Sequence, residues 1–256
     1  MFELKVFVDP AEFCWAGQPV RLRPKERMLL CRLAFATGSS LSSRELAAEF
    51  LDRGSSGTAA DTLRKHVSNF RAAVRQVAGA EAAQRLLLTK QSGHGTVYRL
   101  NLEPASIDAA QFIQLVDAGQ RKRTEGLTAE AAADFTNALA LWRQQPLRDA
   151  AGWHFARTMA KRLDARRRTA RIELAEIRFA EARQREVIGD LRQLAEESPA
   201  DSQVWELLIR CLWRDGRDGN AADTCKQAID AFHGRGLNPA LLRRLQAELL
   251  TGALSR

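Results

Sequence analysis

Cysteine is scarce in this 256-residue sequence, and long hydrophobic runs are missing. The four cysteines lie far apart among apolar neighbours, so we expect reduced packing residues rather than disulfides; they are Cys14, Cys31, Cys211 and Cys225. No run of 18 apolar residues occurs, which excludes a membrane-spanning helix. The N-terminus, MFELKVFVDP, lacks the basic start and apolar core of a signal peptide and is typical of a strand. We therefore expect a cytoplasmic protein that has no membrane partner.

Motifs for catalysis and metal binding are missing as well. The four histidines and four cysteines show no metal-ligand spacing. The sequence contains no G-x-S-x-G, H-E-x-x-H, dinucleotide-binding fingerprint or phosphate-binding G-x-x-x-x-G-K-[ST]. Its many acidic residues are spread over helical segments, where they are typical of solvated charges. We expect a protein that is not an enzyme and has no catalytic residues, cofactor or metal.

What the chain does contain is apolar residues and positive charge. Apolar residues make up 45% of the sequence. This fraction is enough to form a hydrophobic core and argues against a largely disordered chain. The net charge is +8 and the isoelectric point about 9.8, which favours an acidic partner. Residues 1–103 hold 15 Lys and Arg against 10 Asp and Glu, whereas the remainder holds 24 against 21. The positive excess is therefore concentrated in the shorter half.

Residues 1–102 mix strand and helix signals. Pro24 suits the start of one helix, and Ser42 with Glu45 forms a capping box at the start of another. The expected order is three strands, three helices and a final hairpin; the segments are strands 4–8, 12–16 and 19–23, helices 24–38, 42–51 and 58–76, and the hairpin 85–102. This order predicts a winged helix-turn-helix.

The third helix, residues 58–76, has two unlike sides. Thr58 and Asp61 form a capping box, and an apolar stripe follows, composed of Ala60, Leu63, Val67, Phe70 and Val74. Four Arg or Lys residues lie between positions 64 and 75. A solvated surface helix would also carry such charges, but in a winged helix the third helix enters the major groove of DNA. We therefore predict that this segment is the reading helix.

Candidate DNA contacts come from the reading helix, the loop before it and the wing, residues 90–98. Glycines 93 and 95 would allow the wing tip to approach the minor groove. Lys65, Ser68 and Asn69 are candidates for base edges, and the arginines for phosphates. The full predicted set is Arg53, Ser55, Ser56, Arg64, Lys65, His66, Ser68, Asn69, Arg71, Arg75, Lys90, His94 and Thr96.

Residues 107–252 are helical almost throughout. Large apolar residues in one helix of a pair and alanines in the next are typical of tetratricopeptide repeats; the expected helices are 108–126, 128–142, 154–184, 187–198, 202–217, 220–236 and 238–250. The arginine-rich run 157–171 favours a solvated face, with a polymerase or DNA-backbone contact as the alternative. The predicted fold class is mainly α with a small β component: a winged helix-turn-helix (1–102), then an all-α tetratricopeptide-like domain (107–252).

Several segments resemble known families. The segments PKERMLLCRLA, SSRELAAEF, TLRKHVSNFRAAV and GTVYRL are similar, in this order, to the OmpR/PhoB-type DNA-binding domain, with Phe70 in place of the usual Leu and Arg23 where Thr or Ser commonly stands. The segments ALALWRQQPLRDA and GLNPALLRRLQAELL resemble the bacterial transcriptional activator domain, with Cys225 where Tyr is frequent. Together, over about residues 4–250, the chain resembles the Streptomyces antibiotic regulatory protein (SARP) family.

This resemblance implies a transcriptional activator that binds directly repeated sites on double-stranded promoter DNA as a homodimer and recruits RNA polymerase. An alternative function is a protein-interaction adaptor, in which the repeats bind a peptide and the winged helix is a docking module. A third is non-specific compaction of nucleic acid, driven by the net charge of +8.

Overall fold

Short strands frame three helices in the N-terminal part of the chain. The computed structural model describes residues 1–36, 38–50, 59–93 and 95–254. Strands β1 (Phe2–Lys5), β2 (Glu12–Trp15) and β3 (Gln18–Pro19) form an antiparallel sheet in the order β1-β2-β3. There follow α1 (Pro24–Ala34), β4 (Leu41–Ser42), α2 (Ser43–Phe50), α3 (Ala59–Leu86), β5 (Leu87–Ser92) and β6 (Gly95–Leu100). A second antiparallel sheet has the order β4-β6-β5. This arrangement is a winged helix, as predicted.

The helix starts follow from local chemistry. Ser42 and Glu45 form the predicted capping box, in which the Ser42 N–H donates to Glu45 Oε2 (2.7 Å) and the Glu45 N–H donates to Ser42 Oγ (3.2 Å). The Ser42 hydroxyl, which also donates to Glu45 Oε2 (2.6 Å), and the Ser42 N–H together lower the pKa of Glu45. Pro24 lies at the first position of α1, and the preceding Arg23 makes no side-chain cap hydrogen bond. The start of α1 thus depends on the fixed φ of proline rather than on a polar cap.

Some boundaries differ from the prediction. The element α3 consists of two helical segments that meet at Gly79, where the backbone is non-helical (φ 86°, ψ 168°). The first segment thus ends close to the predicted residue 76, and the alanine-rich sequence after Gly79, a good helix former, adds a short second segment up to Leu86 that was not predicted from the sequence. Strand β3 has only two residues, fewer than predicted, although the N–H of the following Val20 still donates to the carbonyl oxygen of Phe13 on β2 (2.8 Å). The two-residue strand β4 was not predicted; it pairs Leu41 with Tyr98 of β6.

The rest of the described chain is helical. Its α-helices are α4 (Asp108–Thr124), α5 (Thr128–Leu141), α6 (His154–Ala180), α7 (Ile188–Glu197), α8 (Ser202–Arg214), α9 (Asp218–His233) and α10 (Ala240–Thr251). Short 3-10 turns occur at Pro104–Ser106, Arg148–Ala150 and Gln184–Glu186. Each predicted helix of this half is present, and most end two to four residues earlier than predicted. No helix among the described residues is both long and apolar enough to cross a membrane.

The chain divides into two compact units. The first comprises Met1–Asp117 and Asn137–Ala165, and the second comprises Ala118–Thr136 and Arg166–Arg256. Within the first unit, Asp108 accepts hydrogen bonds from the N–H groups of Val6 (2.7 Å) and Phe7 (3.1 Å). The buried ring of Phe7 lies 5.4 Å from that of Phe112 and 4.5 Å from that of Trp142. The winged helix and these helix ends therefore share one core.

The second unit has a core of its own. It is built from α6 to α10 and includes Val204, Trp205, Leu208 and Leu212 of α8, with Ala221 of α9 packed beside them. Helices α8 and α9 are joined by a three-residue turn in which Gly216 has φ +74°. Such a short turn makes the two helices antiparallel neighbours. A helix pair with alanine at the crossing is the tetratricopeptide-like pattern that the sequence predicts.

All four cysteines are free, as predicted. Cys31, Cys211 and Cys225 are buried, and burial raises the pKa of the Cys31 and Cys211 thiols to about 12. These thiols are therefore protonated packing groups rather than reactive ones.

Gly119, in the second unit, allows α4 to pack closely on Phe135 of α5. A Cβ atom at Gly119 would lie 2.8 Å from Phe135 Cε1. We expect Gly119→Ala to lower the free energy of unfolding by about 1–2 kcal/mol, because the clash outweighs the helix propensity that alanine gains. Chemical denaturation measures this change. Gly189→Ala is the matched control, since nothing lies within 4 Å of a Cβ there; a stability equal to that of the control would contradict the prediction.

Candidate nucleic-acid interface

Helix α3 is held in one orientation by its apolar side. Leu63, Val67, Phe70 and Val74 are buried, as the predicted stripe requires, and Ala60 is half-buried. This side packs on α1 and α2, and the Phe70 ring lies 6.2 Å from that of Phe13 in the first sheet. The rotation of α3 about its axis is therefore fixed, and so is the set of side chains that it presents outward.

The outward face of α3 is polar and positively charged. Its exposed residues include Arg64, Lys65, Ser68, Ala72 and Arg75. Arg64 Nη1 donates a hydrogen bond to Asp61 Oδ1 (2.6 Å), but both side chains are more than half exposed. An ion pair of that kind contributes little and leaves the guanidinium available to exchange partners. The small side chain of Ala72 lies among the longer side chains of this face, and it leaves room for a binding partner to approach the helix axis.

One flank of this face is tied to α1 through Glu26. The Glu26 side chain is only 3% exposed, and its Oε1 lies 2.9 Å from His66 Nδ1 and accepts a hydrogen bond from Asn69 Nδ2 (3.1 Å). Burial alone would raise the pKa of Glu26, but the hydrogen bonds from His66 and Asn69 outweigh it, so the pKa is lowered. Since an ionised carboxylate only accepts hydrogen bonds, His66 Nδ1 carries a proton in this pair.

The other flank is tied to the wing through Arg71. Arg71 Nη2 donates to the carbonyl oxygen of Leu87 (2.7 Å) and to Thr89 Oγ1 (2.8 Å), both on β5. A single guanidinium thus joins α3 to the hairpin that follows it. The position of the hairpin relative to the outward face of α3 is fixed by this contact.

The wing is a tight hairpin of β5 and β6. Its ladder runs from the Leu87–Leu100 pair to the Ser92–Gly95 pair at the tip. Gly95 has φ +111°, a backbone conformation that residues with a side chain rarely adopt. Lys90 is exposed, while Thr96 Oγ1 donates to Gln91 Oε1 on the opposite strand (3.3 Å). Within its described residues, the wing therefore offers an exposed lysine close to a glycine-containing tip.

The structure separates the predicted contact residues into three groups, and their role as DNA contacts stays a prediction. The exposed residues are Arg64, Lys65, Ser68, Arg75 and Lys90. Residues whose side chains make hydrogen bonds within the protein, and are half-buried, are His66, Asn69, Arg71 and Thr96. The residues that lie outside the described part of the chain are Arg53, Ser55, Ser56 and His94, and the predicted capping residue Thr58 also lies outside it.

Two arginines beside α3 were not among the predicted contacts. Arg21 and Arg23 are exposed and line a groove with Asn69, Ala72 and Gln76 of α3. The signal in the sequence is weak, since RLRP before a helix suggests only a strand end and a cap. Only the folded chain brings these two arginines next to α3, which begins more than thirty residues further along the sequence at Ala59.

Within the described ranges, no group of three or more His, Cys, Asp or Glu residues is placed to hold a metal ion.

A winged helix whose third helix presents a positively charged outward face, followed by a helical domain, is an arrangement found in transcriptional regulators. Residues 107–250 match the family model described as "Bacterial transcriptional activator domain", and the chain belongs to this family. It is 29% identical over 228 residues to the transcriptional regulator RedD of Streptomyces coelicolor, covering 88% of this chain and 64% of RedD. It is 26% identical over 232 residues to the regulatory protein DnrI of Streptomyces peucetius, covering 88% of this chain and 84% of DnrI.

Among solved structures, the chain is similar to Mycobacterium tuberculosis EmbR, described in complex with a low-affinity phosphopeptide. The TM-score is 0.84 at 23% identity, over 98% of this chain and 65% of EmbR. The chain thus spans less than two thirds of the length of RedD and of EmbR. The family model and these relatives together confirm the predicted membership in the SARP family, and the EmbR match confirms the fold class.

Proposed function

We propose that the protein is a sequence-specific DNA-binding transcriptional activator, in which α3 reads the major groove and the wing contacts the minor groove. The observation that carries this proposal is the fixed outward face of α3. Its apolar side is buried, one flank is bonded to Glu26 and the other to β5, and Lys65 and Ser68 project between them. A helix held in this way suits recognition, because base contacts need side chains in a defined position.

The proposed contacts differ in type. Lys65, Ser68 and Asn69 are proposed to contact base edges, because they lie near the centre of the outward face or on its α1 side. Arg64, Arg75 and Lys90 are exposed on the wing side and are proposed to bind phosphates. His66 and Arg71 act mainly by positioning, through Glu26 and β5 respectively. By their place in the sequence, Arg53, Ser55, Ser56, His94 and Thr96 complete the proposed set.

The helical domain is proposed to serve homodimerisation on directly repeated promoter sites and contact with RNA polymerase. Support for this part comes from family membership and from the names of RedD and DnrI as regulators. The positive charge of the N-terminal part agrees with a double-stranded DNA partner.

Selection from a random duplex library, with the purified full chain, tests the proposal. We expect enrichment of a short motif that occurs twice in the same orientation, bound more tightly than a scrambled duplex at ~150 mM salt. Recovery of no motif would overturn the proposal. Equal affinity for all duplexes would favour non-specific compaction instead, and negligible DNA affinity with retained binding of a protein partner would favour the adaptor.

A further inference from the structure

A groove of about 250 Å³ runs between α3 and the segment that leads into α1. Arg21 and Arg23 line one side, and Asn69, Ala72 and Gln76 of α3 line the other. We propose that this groove binds the sugar-phosphate backbone of DNA, with Arg21 and Arg23 as phosphate ligands. This inference rests on the proposed function, and it extends the interface beyond the helix-turn-helix and the wing.

The two arginines are placed on the same side of their segment. The chain is non-helical here, and Arg23 has an extended backbone (φ −71°, ψ 162°). In an extended chain, residues two apart point to the same side and are about 6.6 Å apart. Leu22, between them, is half-buried whereas both arginines are exposed. Two cations in a row along one edge of the groove suit a polyanion whose charges repeat along a strand.

The segment is also anchored. Arg27 Nη1 donates to the carbonyl oxygen of Leu22 (3.3 Å), and Arg27 Nη2 is held by Asp149 (2.6 Å). The Arg27 side chain is 17% exposed in this pair, so it is partly shielded from water. Because this contact fixes the carbonyl between Arg21 and Arg23, less conformational freedom is lost when the two guanidinium groups bind a ligand.

The opposite side of the groove belongs to the proposed reading helix. Ala72 and Gln76 lie on the exposed side of α3, one and two turns beyond Ser68. A duplex whose major groove holds α3 therefore brings one of its strands past this position. The acidic residue in the lining is Glu26, whose carboxylate is buried and bonded to His66 and Asn69. The small side chains of Ala72 and Ala73 leave space for the sugar-phosphate chain.

The test compares a double variant, Arg21→Gln with Arg23→Gln, to the wild-type chain on the selected duplex over a range of salt concentrations. Loss of two phosphate contacts is expected to reduce the slope of log affinity against log salt by about 1.8. Affinity should fall by roughly tenfold or more at low salt, on selected and scrambled duplexes alike, since phosphate contacts carry no sequence information. The matched control is Arg192→Gln with Lys226→Gln, which removes the same charge from two exposed positions in the second unit.

Neutral methylphosphonate links locate the contact. Such a link is introduced at one position of the selected site at a time. At one or two positions beside the major groove it should weaken binding of the wild-type chain, and at those same positions it should not change the affinity of the double variant. A double variant with the wild-type salt slope, or with the slope of the control, would overturn the inference while leaving the proposed function standing. If the wild-type chain itself selects no DNA, the proposed function has failed first.

Discussion

Lys65→Glu is expected to lower the affinity for the selected duplex by about 100-fold at ~100 mM salt. Lys65 is exposed near the centre of the outward face of α3, one turn before Ser68 and Asn69. A carboxylate at this position would replace an attraction to the DNA with a repulsion, and would also lose a hydrogen-bond donor to a base edge. Because the helix is fixed on both flanks, it cannot rotate to remove the new charge from the interface. Fluorescence anisotropy with a labelled duplex measures the effect.

Lys226→Glu is the control for this charge reversal. Lys226 is an exposed lysine on α9, in the second unit, and its substitution gives the same change in net charge. We expect at most a few-fold loss of affinity, from long-range repulsion alone. Equal losses for the two variants would mean that only net charge matters, and the assignment of α3 as the reading helix would fail. Thermal unfolding of both variants should match the wild type, since neither residue is buried.

The architecture could be predicted from the sequence because its signals are local and periodic. The spacing of Leu63, Val67, Phe70 and Val74 marks a buried stripe at helical period, and the Ser42–Glu45 pair marks a helix start. The residues that form each of these signals lie close together in the sequence, and helix propensity and hydrophobic periodicity can be read over such short distances. Local signals are weaker at boundaries: the helical conformation breaks at Gly79, and the short alanine-rich helical segment that follows it up to Leu86 was not predicted.

The contacts on the two flanks of α3 could not be predicted from the sequence, because the residues that they join are distant along the chain. His66 and Asn69 lie 40 and 43 positions from Glu26, and Arg71 lies 16 and 18 positions from its acceptors on β5. The sequence shows only that these residues are polar and face outward or sideways. Whether a polar side chain faces a solvent-filled groove or a buried carboxylate depends on the packing of α1 against α3, which no local pattern encodes.

The division into compact units is also invisible in the sequence. The composition of the sequence changes near residue 102, and the match to the family model begins shortly afterwards, at residue 107. The first compact unit nevertheless includes residues 107–117 and 137–165, and α4, α5 and α6 each contribute residues to both units. A continuous amphipathic helix has no break in its pattern where its packing partner changes. The family boundary and the structural units therefore describe different properties of the same chain.

Glu26→Ala is expected to lower the free energy of unfolding by about 3 kcal/mol, as is typical when one partner of a buried charged network is removed. The carboxylate is buried and joins α1 to α3 through His66 and Asn69. Without it, Asn69 Nδ2 loses its acceptor and the two helices lose their polar contact. The amide of Asn69 is then free to rotate, so the ratio of affinities for selected and scrambled duplexes should fall as well. Chemical denaturation and paired binding measurements separate the two effects.

The isosteric variant Glu26→Gln separates the charge of this group from its shape. Because the pKa of Glu26 is lowered from its ordinary value of 4.5, its ionised form stabilises the fold above pH 4.5, and this contribution is lost as the pH falls through the lower, folded-state pKa. The stability advantage of the wild type over Glu26→Gln should therefore be constant near neutral pH and shrink below pH 4.5. A stability advantage that grows with acidity would mean that the Glu26 carboxyl is protonated in the folded protein. In that case the carboxyl O–H, and not His66, would donate the hydrogen bond between the two side chains. With glutamine, the amide oxygen still accepts from Asn69, so base preference should be closer to that of the wild type than with alanine.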